Sequence, residues 1–238
     1  MSQNYQTSTG SVVNASAITN KFLQGVYGWM AVGLLFTALT SLFVASSPTI
    51  LSIIFGQGIL VPAVLMIAQF GIVIAISAAL PRLSHNMVTG LFIAYSALTG
   101  LTLSVVWLVY PLDIVLKAFI SASATFAAMS IYGLVTKRDL TSMGSFMTVG
   151  LFGIIIAMLV NFFFKSPALD YAICFIGVIV FLGLTAYDTQ KLRNMGLNAP
   201  HDDALAMRRG TIFGALTLYL DFINLFLFLL RIFGASRD

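Results

Sequence analysis

From Phe22 onward the chain alternates between long apolar runs and short polar breaks. Runs at Phe22–Ser46, Leu60–Leu80, Met87–Val109, Leu112–Val135, Met143–Phe164, Ala168–Thr189 and Thr211–Phe233 each supply about the 20 residues that a ~30 Å hydrocarbon core requires at 1.5 Å per residue. The breaks are turn and stop signals: Ser46-Ser47-Pro48, Pro81-Arg82 with Ser84-His85-Asn86, Tyr110-Pro111, Thr136-Lys137-Arg138-Asp139 and Lys165-Ser166-Pro167. A further apolar stretch begins near Ile50, but Gly56-Gln57-Gly58 and Pro62 interrupt it, so the spanning part of that block begins at Leu60. The pattern predicts an all-α membrane protein with seven transmembrane helices. Residues 1–20 form a polar cytoplasmic tail, and residues 21–238 a single seven-helix domain.

The last run differs from the others. Within Gly214–Gly234, the residues Gly214, Thr217, Asp221, Asn224, Phe228 and Arg231 follow one another by three or four positions, so the polar groups share one helical face. A charged side chain near the bilayer centre costs roughly 2.5–3.5 kcal/mol on insertion scales, so such a face turns to a bundle interior or a watery path. The last helix is therefore expected at the centre, surrounded by the other six.

Composition excludes the soluble alternative: of 238 residues, 59% are hydrophobic and only 8% charged, where a soluble domain carries about a quarter charged. Twelve Lys and Arg against eight acids, all Asp, give a net charge of +4, but the bases sit mostly in the predicted loops, and no basic run with interleaved aromatics points to nucleic acid. They set orientation instead. Lys21, Arg82, Lys137, Arg138, Lys191, Arg193, Arg208 and Arg209 fall on one side, and Lys117, Lys165, Arg231 and Arg237 on the other. That imbalance places the N-terminus in the cytoplasm and the C-terminus outside. Cys174 reads as a small buried hydrophobe, and His85 as a loop residue. His201-Asp202-Asp203 has metal-capable side chains in the long loop 191–210, yet lacks a further ligand cluster. No nucleophile elbow, HExxH or phosphate loop is present, so the chain is not expected to be an enzyme, and no resident cofactor is expected.

The second acid at membrane depth is Asp188, at the end of the sixth run, with Thr185 and Phe181 on its face. Should Asp188 and Asp221 meet, the two carboxyls would share a proton rather than both ionise, and the pair would be proton-sensitive. Counting from Lys191 and Arg209 as the points of entry leaves the acids roughly 13 Å apart in depth. Meeting requires the seventh helix to start near Ala204, or the sixth to tilt. Otherwise Asp188 pairs locally with Lys191 or Arg193, while Asp221 is tied to Thr217 and Asn224.

The segments Gly183-Leu-Thr-Ala-Tyr-Asp-Thr-Gln190 and Leu218-Tyr-Leu-Asp-Phe-Ile-Asn-Leu-Phe226 resemble the signature of the transmembrane Bax inhibitor motif family, in its bacterial inner-membrane branch. The similarity extends from Val26-Tyr-Gly-Trp through Ala97-Leu-Thr-Gly-Leu-Thr-Leu and Thr136-Lys-Arg-Asp-Leu to the C-terminus. The resemblance implies a pH-sensitive calcium leak whose sensor is an aspartate pair, matching Asp188 and Asp221. It also implies a basic latch before the third span, at the place of Arg82. This chain departs from some relatives in its longer sixth loop and in Gly71, where they carry an acid.

Calcium wants several oxygen ligands. Asp188 and Asp221, with Thr185, Thr217 and Asn224 lining the path, would give a weak and transient calcium site suited to a permeant ion. The alternative function is a non-conducting membrane regulator that binds a membrane protease or stress-response partner through its tail or long loop. Proton-coupled transport of a small solute would use the same two acids.

Overall fold

A computed structural model describes residues 4–56, 58–198 and 203–235, with side chains from residue 17 onward. His201 and Asp202 lie outside the described residues. Among the described residues nine helices follow in order: α1 Asn4–Ala45, α2 Pro48–Phe55, α3 Leu60–Ala79, α4 His85–Leu103, α5 Val106–Val109, α6 Leu112–Val135, α7 Thr141–Phe164, α8 Pro167–Leu197 and α9 Ala204–Ala235. Among the described residues there is no strand. Among the described residues seven segments are long and apolar enough to cross a membrane: Ala17–Ala45, Leu60–Ala79, His85–Val109, Leu112–Val135, Thr141–Phe164, Pro167–Leu197 and Ala204–Ala235. The chain is an integral membrane protein of the all-α class.

The differences from the expected bounds have local causes. Helix α1 begins at Asn4, well ahead of the first apolar run, so backbone expected as a tail is helical. Its polar residues allow this because no proline occurs before Pro48. The interrupted block yields the eight-residue α2, started by Ser47, whose hydroxyl accepts from Ile50 N, and by Pro48 in the first turn. At 1.5 Å per residue α2 is far too short to span. The third span is broken at Ser104, whose hydroxyl donates to Leu101 O at 2.7 Å and so competes with the helical backbone.

Packing divides the chain into two compact units, Met1–Val105 with Leu192–Leu216, and Val106–Lys191 with Thr217–Asp238. Helices α8 and α9 contribute to both. In the first unit α1 lies against α4 through small and hydroxyl side chains. Thr37 donates to Ser96 O at 2.9 Å, and a Cβ at Gly100 would come within 2.7 Å of Thr37 O. The start of α9 packs here too, with Gly214 against Leu192 and Val26, and Gly210 against Met195.

In the second unit α6 and α8 touch backbone to backbone, since a Cβ at Gly133 would run into Ala186 O. Helix α7 meets α8 through Gly144 on the Tyr187 ring and Met147 on Gly183. The rest of α9 packs through Phe222, edge-on to Phe119 at 5.7 Å and Phe126 at 5.5 Å, and through Phe228 against Phe181 at 5.9 Å.

Burial ranks the spans. In its most apolar window α9 is 67% buried, against 6% for α3 and α7. Tyr219, Leu216, Leu218, Leu225 and Leu230 are almost fully enclosed. The last helix is thus the most deeply enclosed of the seven, as the polar face centred on Asp221 requires.

Candidate functional site

The second unit brings together the two acids that the sequence singles out. Asp188, half-buried near the end of α8, and Asp221, 4% exposed in the middle of α9, are joined by a side-chain hydrogen bond. An ionised carboxylate only accepts hydrogen bonds, so a bond between two carboxyls requires a proton on one of them. Asp221 Oδ2 has no hydrogen-bond partner among the described residues, and neither do the buried hydroxyls of Ser130 and Thr189.

The depth difficulty is resolved by register. Helix α8 continues to Leu197 and α9 begins at Ala204, so the charges Lys191 and Arg209 lie inside helices. Leu192 faces Gly214 and Met195 faces Gly210, while in the second unit Phe181 and Gly177 face Phe228. On that antiparallel register Asp188 comes opposite Asp221. Neither charge marks the end of its helix, which was the premise of the ~13 Å separation.

Both apolar and polar groups border the pair. Phe222, next to Asp221, is bracketed by the Phe119 and Phe126 rings. Lys191 acts electrostatically on Asp188 and also sits over the Tyr187 ring, 5.9 Å from its centroid. The local partner considered for Asp188 is therefore present, but beside Asp221 rather than instead of it. Thr185 is fully buried and donates to Phe181 O at 2.7 Å, and Asn224 Nδ2 donates to Leu220 O at 2.8 Å. Both donations go to the residue's own helix, leaving the Thr185 oxygen lone pairs and the Asn224 carbonyl able to accept. Thr217 is half-buried one turn before Asp221. Among the described residues no group of three or more His, Cys, Asp or Glu is placed to hold a metal ion.

Arg82 belongs to the first unit and is exposed in the turn between α3 and α4. That turn is pinned by Arg209 of α9, whose Nη1 donates to Pro81 O at 2.9 Å and Leu83 O at 3.3 Å. Sequence reasoning treated Arg209 as an orienting charge only, and missed this anchoring. It also missed Gln190, whose side chain binds the backbone on both sides of Asp139 in the second unit. A polar amide two residues from a membrane acid was the available signal. At the far ends of the same two helices, Arg231 pairs with Asp170 at 3.5 Å, with Cys174 hydrogen-bonded to Arg231.

Comparison with known proteins adds the following. A family model described as "Inhibitor of apoptosis-promoting Bax1" matches residues 19–238. The inner membrane protein YbhL of Escherichia coli K12 is 49% identical over 227 residues, covering 95% of this chain and 97% of YbhL. A protein of Borreliella burgdorferi described as uncharacterized is 46% identical over 93% of this chain and 94% of its own. The protein RP147 of Rickettsia prowazekii, likewise described, is 41% identical, covering 92% of this chain and 91% of its own.

Proposed function

The chain belongs to the Bax inhibitor family of membrane proteins, and from that premise we propose that it is a pH-sensitive calcium leak of the bacterial inner membrane, with the Asp188–Asp221 pair as its proton-sensitive element. The observation that carries this reading is the hydrogen bond between the two carboxyls at the heart of the second unit. Calcium as the permeant ion comes from the family resemblance. The inner membrane is supported by the name that YbhL carries, and a cytoplasmic N-terminus with an outer C-terminus by the distribution of Lys and Arg.

The hydrogen-bonded pair holds one proton between its two oxygens. While it does, α8 and α9 are tied at this level, and the Phe119 and Phe126 rings of α6 pack edge-on against Phe222, the residue next to Asp221. Loss of that proton leaves two like charges in contact, which at 4 Å repel by about 4 kcal/mol at an effective dielectric of 20. Separation of the helices relieves this repulsion and exposes carboxylate, hydroxyl and amide oxygens to a passing cation. Calcium prefers such oxygen ligands, and two acids with neutral oxygens bind it weakly enough to release it. On this reading the leak rises with pH. Arg82 takes the latch role that the resemblance gives it, and Arg82→Gln is expected to raise the leak.

The test is calcium entry into dye-loaded liposomes containing the purified protein, followed as the pH is varied. Wild type should pass more calcium at higher pH. In Asp221→Asn the amide donates to Asp188 without needing a proton, so the dependence on pH should flatten. Asp188→Asn should behave alike. An unaltered pH profile in both variants would refute the sensor role. Absence of flux in wild type at every pH would instead favour the non-conducting regulator.

A further inference from the structure

Gln190 stands two residues beyond Asp188, so the two side chains leave α8 in nearly opposite directions. Asp188 turns to α9, and Gln190 to the 136–140 loop between α6 and α7. Its amide is used at both ends: Oε1 accepts from Leu140 N at 2.9 Å, and Nε2 donates to Arg138 O at 2.8 Å. A side-chain amide here pairs with loop backbone as a neighbouring strand would. Gln190 and Leu140 are both buried, although Lys137, Arg138 and Asp139 are exposed.

The same turn of α8 is gripped elsewhere. Gly133, just before the loop, lies against Ala186 O and Thr189, and Gly144, just after it, lies under the Tyr187 ring. The turn that carries Asp188 is therefore locked to both ends of one loop, and Gln190 supplies the two directional bonds of that lock. A buried backbone N–H or C=O left unpaired costs more than its bond contributes, so the loop follows the turn rather than releasing it.

We propose that Gln190 is a positioning residue for the acid pair, coupling the turn that bears Asp188 to the exposed 136–140 loop so that opening of the pair is transmitted to the membrane surface. This rests on the reading of Asp188 and Asp221 as a proton switch. The charged groups around the device are Asp221 from α9, Lys191 on α8 itself, and Lys137, Arg138 and Asp139 on the loop. Helices α6 and α7 meet the turn through Gly133 and Gly144, which bring no charge.

The experiment uses the full chain in liposomes, with Cys174→Ser to remove the one native thiol and Lys137→Cys as a reporter for maleimide labelling. The labelling rate, corrected for the reagent's own pH dependence, is expected to change with pH, and to lose that change in Asp221→Asn and in Gln190→Met, which keeps the length but not the bonds. Calcium flux by Gln190→Met should show its pH midpoint moved by about half a unit or more, which corresponds to a roughly threefold change in the opening equilibrium. Gln190→Glu retains the acceptor for Leu140 N and should fall between wild type and Gln190→Met. It carries the same test should Gln190→Met fail to fold. Pair-dependent labelling that persists unchanged in the Gln190 variants overturns the proposal, as does labelling that never varies with pH. Since labelling needs no ion flux, a wild-type protein that passes no calcium would sink the leak while leaving the coupling to be decided by the label.

Discussion

Asp221 is the residue on which the candidate site turns, and its neighbours define what each substitution should do. Thr185 is fully buried one turn from Asp188, with its proton committed to Phe181 O. Its lone pairs are what a passing cation could use. Thr185→Val keeps the shape and removes the oxygen, and should lower calcium flux about three- to tenfold, or ~0.6–1.4 kcal/mol in barrier. Thermal stability should hardly change, because the bond lost is within one turn. Asp139 provides a contrast in the same unit. Its carboxylate accepts from Thr141 N at 2.9 Å and Thr141 Oγ1 at 2.6 Å, and these bonds hold it below its ordinary value of 3.8. With the folded value depressed, whatever it contributes is present above the unfolded value and lost only as pH falls through the folded one, below the ordinary carboxylate range. Asp139→Asn should therefore leave the flux profile around neutrality in place, whereas Asp221→Asn flattens it.

At the scale of helices, close approach at small residues sets the frame that holds the acids. A Cβ at Gly133 would run into Ala186 O, a backbone atom that can yield only if α6 and α8 part. Gly133→Ala should destabilise the protein by about 1–3 kcal/mol through overpacking, seen as a lower unfolding temperature in detergent. Gly153, on α7, has nothing within 4 Å of such a Cβ. Gly153→Ala should be neutral or raise stability by up to roughly 1 kcal/mol, from reduced backbone entropy in the unfolded chain. If both variants unfold alike, close helix approach at Gly133 is not what fixes this interface. Element type was legible for the seven spans, because twenty-residue apolar runs between Pro, Gly and Ser breaks have one stable solution in lipid, a hydrogen-bonded helix. Element ends were less so. Lys191 and Arg209 suggest entry points, but polar residues can extend a helix beyond its apolar part, and α8 reaches Leu197 while α9 begins at Ala204.

For the molecule as a whole, an odd number of spans, seven among the described residues, predicts termini on opposite faces of the membrane. Reporter fusions should show the N-terminus cytoplasmic and the C-terminus outside, and the reverse result would mean that the loop charges do not orient this chain. By itself the sequence determined the class, the span count and the two membrane acids, since each follows from the cost of exposing polar groups to hydrocarbon, which is local and additive along the chain. It also determined that α9 would be the most enclosed helix, because a polar stripe around Asp221 has nowhere else to go. Only the tertiary structure decided that Asp188 meets Asp221, that Gln190 ties this turn to the 136–140 loop, and that Arg209 pins the turn bearing Arg82. These depend on the register between helices. Register is set by which glycine admits which neighbour, such as Gly214 for the Leu192 side chain and Gly133 for the Ala186 backbone, a pairwise property that no single run of residues contains.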